Sequence, residues 1–184
     1  MMRVLAMAIF FLTAFGVMGV LSEHFRGDAG LVLRLMMDAL LCFVAVLVHE
    51  LGHAAAAHRL GADIRAIVVL PFAFNTKRRE LRLKWRAGMG DLGGYVSYTL
   101  DRIDARRKHM MIAAAGPIAN LLLALGAGTG AALVGTDPRG GALLGALALL
   151  SAGMGIANLV PFKGSDGHHI FEGFRTGARN RPVR

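Results

Sequence analysis

Four long apolar runs, separated by short polar links and one broad basic stretch, set the pattern of the chain. The first is free of charge from Val4 to Ser22, between Arg3 and Glu23. The second spans about Gly30 to Arg59 and carries Arg34 and Asp38 in its first third. The third, His109 to Thr136, and the fourth, Gly140 to Phe162, have no Asp, Glu, Lys or Arg. About 20 apolar residues in a helix cross the hydrocarbon of a bilayer. The pattern therefore predicts four transmembrane helices, at about 4–22, 30–59, 109–136 and 140–162. Arg3 and the run after it also have the outline of a cleaved signal peptide, but no clear small-x-small cleavage site follows, and an uncleaved helix is expected. Arg34 and Asp38, at i and i+4, are expected to form an ion pair. Pro117 is expected to kink the third helix, and Gly116 with its neighbouring alanines to let another helix come close.

Residues 61–108 follow a different rhythm. Leu81, Leu83 and Trp85 alternate with Arg82, Lys84 and Arg86, the period of a strand with one apolar face. Ile64 to Phe74 is a second β-like run, Asn75 to Arg79 a turn between the two, and Gly93 to Tyr98 a third short strand. The fold class expected is an α-helical multi-pass membrane protein with a small membrane-associated β-hairpin or sheet between helices 2 and 3. A basic tail, 163–184, closes the chain, and the whole reads as one domain with no internal repeat.

Composition agrees. Of 184 residues 55% are hydrophobic and 18% charged, with mean hydropathy +0.52, values of a membrane protein rather than a soluble one. The net charge of +9 would suit nucleic-acid binding if it lay on one surface. Instead twelve of the twenty-one Lys and Arg residues fall between Arg59 and Lys108. The positive-inside rule then puts this loop and both termini in the cytoplasm, with a bacterial plasma membrane as the expected location and no nucleic acid among the partners. The single cysteine, Cys42, rules out an internal disulfide and a cysteine-based zinc site.

The candidate chemistry lies in Val44 to Ala57, VAVLVHELGHAAAA. His49 and His53 stand one helical turn apart on one face, so both imidazoles can meet one ion. Glu50 sits on the flank of that face, where a carboxylate can take a proton from water activated by zinc. Two histidines and a glutamate beside uncharged residues 39–48 are costly in hydrocarbon, which favours function. A catalytic zinc needs a third ligand. Asp166, beyond the fourth helix, is the best placed, and His168 and His169 are rivals.

Three motifs in order carry a resemblance. They are H-E-x-x-H at His49 to His53, Gly-Pro-x-x-Asn at Gly116 to Asn120, and Asn-x-x-Pro followed by Asp-Gly between Asn158 and Gly167. With them the chain resembles the site-2 protease family of intramembrane zinc metalloproteases, over about Phe43 to Glu172. The resemblance implies a metalloendopeptidase with one Zn2+ per chain, held by His49, His53 and Asp166, with Glu50 catalytic. It implies that Asn158 helps hold substrate, and Asn120 is grouped with it. Leu92 to Val96 resembles the family's edge strand that clamps extended substrate, which makes Gly93, Gly94, Tyr95 and Val96 substrate-binding positions. The partners implied are a transmembrane protein substrate and the lipid bilayer. Ser165 and His168 depart from the family's usual residues, and no PDZ domain is expected. A non-catalytic scaffold of the same fold would normally have lost Glu50 or a ligand. A metal or solute transporter would commonly show inverted repeats.

Overall fold

The computed structural model describes residues 1–25, 27, 30–84, 93–134 and 137–179, with side chains as far as Arg175. Its helices are α1 (Met2–Phe25), α2 (Leu31–Arg59), α3 (Ala105–Leu133), α4 (Pro138–Leu159) and α5 (Asp166–Arg179). Between α2 and α3 lie strands β1 (Asp63–Val69), β2 (Phe72–Asn75), β3 (Glu80–Leu83) and β4 (Gly94–Thr99). By length and composition α1 to α4 can each cross a membrane.

Helix α4 packs against α1, α2 and α3. One core cluster joins Val17 and Leu21 of α1, Ala45 of α2, and Ala146 and Leu150 of α4. Small residues set the closest crossings. A Cβ on Gly52 of α2 would lie 2.7 Å from both the Ala115 carbonyl oxygen and the Ala119 Cβ of α3. The two backbones thus meet where the H-E-x-x-H segment sits, as small residues allow. The outward faces are apolar too: Leu12 and Phe15 of α1, Val32 and Met36 of α2, and Leu122 and Leu125 of α3 are exposed. Helices apolar all round belong in a large core or in lipid.

Several boundaries differ from the sequence expectation. Helix α3 starts at Ala105, so Arg106, Arg107 and Lys108 form its first turn. Freedom from charge marks the part suited to lipid, not the helix start. Helix α4 starts at Pro138, where the Asp137 carboxylate accepts hydrogen bonds from the amides of Arg139 and Gly140. It stops at Leu159 rather than Phe162, because Pro161 disfavours helical backbone just before itself. The expected basic tail contains helix α5, and residues 180–184 lie outside the described residues. Arg34 and Asp38 form no ion pair among the described residues: Nε of Arg34 and Oδ1 of Asp38 are buried without a partner.

The expected strand Ile64 to Phe74 is two strands, reversed at the cis Leu70–Pro71 peptide. Proline cannot donate to a ladder, so the run had to break there. The Asn75 side chain accepts from the amides of Lys77 and Arg78 and shapes the next turn. Trp85, Arg86 and Leu92 lie outside the described residues. The sheet is antiparallel in the order β3-β2-β1-β4, so β4 is an edge strand among the described residues. Its register opposes Val68 to Tyr95, Ile67 to Val96 and Val69 to Gly94. The Leu70 amide donates to Gly93 O at 3.0 Å. In an antiparallel pair, hydrogen-bonded partners alternate with non-bonded ones. Gly93 and Tyr95 therefore bond inward to β1, and the N–H and C=O groups of Gly94 and Val96 point to the open edge.

Candidate metal centre

The ends of three elements meet at one end of the helix bundle. α2 supplies His49, Glu50 and His53 near its C-terminus, all three buried. α3 passes behind them with residues 112–120. The turn after α4 brings Asp166, which opens α5. A ligand atom of His49, His53 and Asp166 can be chosen so that all three lie within 4.8 Å of one another. His49 Nε2 is 3.1 Å from Asp166 Oδ2, His53 Nε2 is 3.4 Å from Asp166 Oδ1, and the two Nε2 atoms are 3.1 Å apart.

These residues fit a zinc ion. Two imidazole nitrogens and one carboxylate oxygen are the ligand set of a catalytic zinc with its fourth position free. Tetrahedral bonds of about 2.0–2.1 Å put neighbouring ligand atoms about 3.3–3.4 Å apart, close to the distances seen. Gly116 keeps the space open: a Cβ there would collide with the His53 ring and lie 2.8 Å from His49 Nε2. The His53 tautomer is fixed by its surroundings. Its Nδ1 lies 2.7 Å from the Ile112 carbonyl oxygen, which can only accept, so Nδ1 carries the proton and Nε2 offers its lone pair to the cluster.

Asp166 is positioned by its neighbour. The buried Ser165 hydroxyl accepts from the His168 amide at 3.2 Å and donates to the Val160 carbonyl at 2.7 Å. Ser165 is thus the N-cap of α5 and ties the helix start back to the end of α4. Burial alone would raise the Asp166 carboxyl, but the His49 and His53 imidazoles beside it outweigh burial and hold it down at about 2. Its place in the first turn of α5 also favours negative charge.

Glu50 lies close enough to feel the charges of His53 and Asp166, and its Oε2 is buried without a partner. Strand β4 runs beside it. A Cβ on Gly94 would lie 2.8 Å from Glu50 Cγ and 2.9 Å from Oε1. Glycine is required there by this approach, and the outward-facing edge of β4 begins next to that carboxylate. Tyr95 is exposed and takes a hydrogen bond from Lys84 Nζ at 3.4 Å. Val96 is half-buried, and Gly93 has φ +103°, open to glycine alone at little cost. Asn158 is half-buried in the last turn of α4, and no described hydrogen bond joins its side chain to the cluster. Asn120 is fully buried against His49.

A further polar group stands next to the cluster. Tyr98 Oη and His109 Nδ1 are 2.7 Å apart, and the His109 ring meets that of His169 edge-on at 5.0 Å. Burial and the Asp166 charge push the Tyr98 hydroxyl up to about 12, so it keeps its proton. His168 pairs with Glu172 at 3.5 Å and is absent from the metal-ligand group, as is His169. Gly116, expected to let another helix come close, does so against the two imidazoles of α2. The Ile112 carbonyl and the Ser165 cap carry no signal in the sequence.

Comparison with known proteins adds to this geometry. Residues 37–137, more than half of the chain, match the family described as Peptidase family M50. The matched stretch holds His49 to His53, β4 and Asn120, and ends before Asn158 and Asp166. A curated protein of Synechocystis sp., named "Putative zinc metalloprotease sll0528", is 24% identical over 152 residues, 80% of this chain. The chain spans about a third of that relative's length, 34%. No solved structure gives a significant match.

Proposed function

The chain belongs to peptidase family M50, and from that premise we propose that it is a zinc-dependent endopeptidase cleaving membrane proteins within or beside the bilayer. The observation that carries the reading is Gly94 against Glu50: an open strand edge begins at the side of a buried carboxylate. A scaffold has no use for that juxtaposition. A protease of transmembrane helices needs it, because the amides of a helical substrate are shielded until the segment is held extended.

In this reading His49, His53 and Asp166 hold the ion. Bound there, zinc would supply Lewis-acid polarisation of the scissile carbonyl and lower the pKa of the attacking water. Glu50 takes the proton of that water. Its unmatched Oε2 is the free acceptor, and burial keeps bulk water from competing for it. The edge groups of Gly94 and Val96 hold the unwound substrate by β-augmentation. The bare main chain at Gly93 and Gly94 lets the substrate backbone come close, and Asn158 steadies it further along.

The four long apolar helices support a multi-pass integral membrane protein, with the basic 61–108 segment and both termini cytoplasmic and a bacterial plasma membrane as its place. Its partners are transmembrane substrates and lipid. The test is co-expression with candidate single-pass membrane proteins, comparing wild type with Glu50→Gln. A cleavage fragment seen with wild type and absent with the variant supports the reading. Equal fragments from both, for every substrate cut, would overturn it.

A further inference from the structure

From the contact between Asn120 and His49 we infer that Asn120 is a positioning residue for the metal, turning its amide oxygen to His49 when the ion binds. The inference rests on the proposed zinc site. Asn120 lies in α3, has no exposed surface, and its Nδ2 is 3.3 Å from His49 Nδ1. Its Oδ1 is buried without a partner.

The chemistry of imidazole decides which amide atom belongs there. His49 presents Nε2 to Asp166 and to His53 Nε2. If Nε2 gives its lone pair to a metal, the single proton of the neutral ring must sit on Nδ1. A ring N–H cannot face an amide NH2, since both only donate. The carboxamide therefore turns over, and Oδ1 accepts the proton of Nδ1. Oxygen and nitrogen of a side-chain amide have nearly the same shape, so the turn needs no repacking. One hydrogen bond is exchanged for one, and the metal decides which.

This arrangement completes a pair. The Ile112 carbonyl fixes the tautomer of His53, and Asn120 does the same for His49 from the same helix, two turns further on. Both groups belong to α3, whose backbone approaches α2 at Gly52 and leaves the cleft open at Gly116. Helix α3 is thus the template that orients both imidazoles, while contributing no ligand of its own. Asn120 does not serve substrate, because a fully buried side chain behind a ligand has no surface to offer it.

The experiment measures zinc affinity of detergent-purified protein by competition with a chromophoric chelator. Folding is checked by helical circular dichroism, and cobalt(II) replaces zinc for a visible spectrum. Removing a partner of this kind typically lowers metal affinity about 10–100-fold. Asn120→Leu, which fills the space without an acceptor, is expected to lose affinity on that scale and to alter the cobalt spectrum. Asn120→Asp, which keeps an acceptor oxygen, is expected to bind zinc at least as tightly as wild type. If Asn120→Leu cannot be recovered from the membrane, Asn120→Ala takes its place. Wild-type affinity in the variant lacking an acceptor, or an Asn120→Asp as weak as that variant, would overturn the inference. His53→Ala is measured in parallel. If wild type binds no better than that variant, it is the zinc site itself that has failed.

Discussion

A single missing side chain matters as much to this centre as the ligands. At Gly116 a methyl group would occupy the space between the two imidazoles. Gly116→Ala should not harm the helix, since alanine is favoured over glycine by about 1 kcal/mol in a helix interior. The expected outcome is normal helical content with zinc lost, read by metal analysis of the purified protein. Acid should act on the histidines first. The Asp166 carboxyl is held at about 2, below the ordinary 3.8. Its contribution is present above the ordinary value and is lost only as pH falls through about 2. An imidazole must be neutral to bind metal. Zinc release on acidification should therefore take up two protons per ion, seen as a slope of two in log affinity against pH; a slope of three would implicate the carboxylate. His49, Glu50 and His53 were legible because helical spacing alone puts them together. Asp166 is the best-placed third ligand by its position after the fourth helix, and the family's motif singles it out from His168 and His169. Gly116 and Asn120 were not legible as ligand supports. A gap and a buried amide leave no periodicity, and their meaning depends on which helix faces them.

The strand that borders the site makes the clearest test among the elements. Val96 stands opposite Ile67 in a non-bonded pair, so its N–H faces the open edge and not β1. Val96→Pro removes that outward donor and leaves the ladder to β1 intact, which is where a sheet tolerates proline. Cleavage of a membrane substrate should fall about tenfold or more, on the scale of a lost backbone hydrogen bond plus the clash of the ring. Val96→Ala should do little, and both variants should keep their zinc. Equal cleavage by Val96→Pro would place the clamp elsewhere. The long helices were legible as unbroken apolar runs, and β3 from the period of two at Leu81 and Leu83. Two errors had local causes. Pro71 lies inside an apolar run whose other residues suit a single strand, and it splits that run into β1 and β2. The α5 segment read as a basic tail because its apolar face is narrow and its charges dominate the average.

Across the whole molecule the helix ends that build the site gather on one side of the bundle. The C-terminus of α2, the N-terminus of α3 and the end of α4 share one level, because His53 meets Ile112 and Ser165 presents Asp166 to both histidines. The sheet lies at this end, with most of the basic residues. Reporter fusions at positions 90 and 184 should both read cytoplasmic. A periplasmic signal from either would break the four-span arrangement.

Asp166, the proposed third ligand, opens a short helix of its own, and this would give a bound ion a mechanical duty. Helix α5 rests on α3, with Gly173 pressed to Met110, while Phe171, Phe174 and Arg175 remain exposed. With zinc bound as proposed, its leading residue would be bolted, through the metal, to a helix more than a hundred positions earlier in the chain. A cross-link over so long a loop restrains much chain entropy. Withdrawing the ion would undo that fastener and leave α5 held by its contacts with α3 and with the end of α4. Trypsin should then cut after Arg175 faster in the presence of EDTA, and Asp166→Asn should be cut at that faster rate with no chelator added. Mass spectrometry of the fragments would show it, and unchanged digestion in both would mean that α5 needs no such anchor.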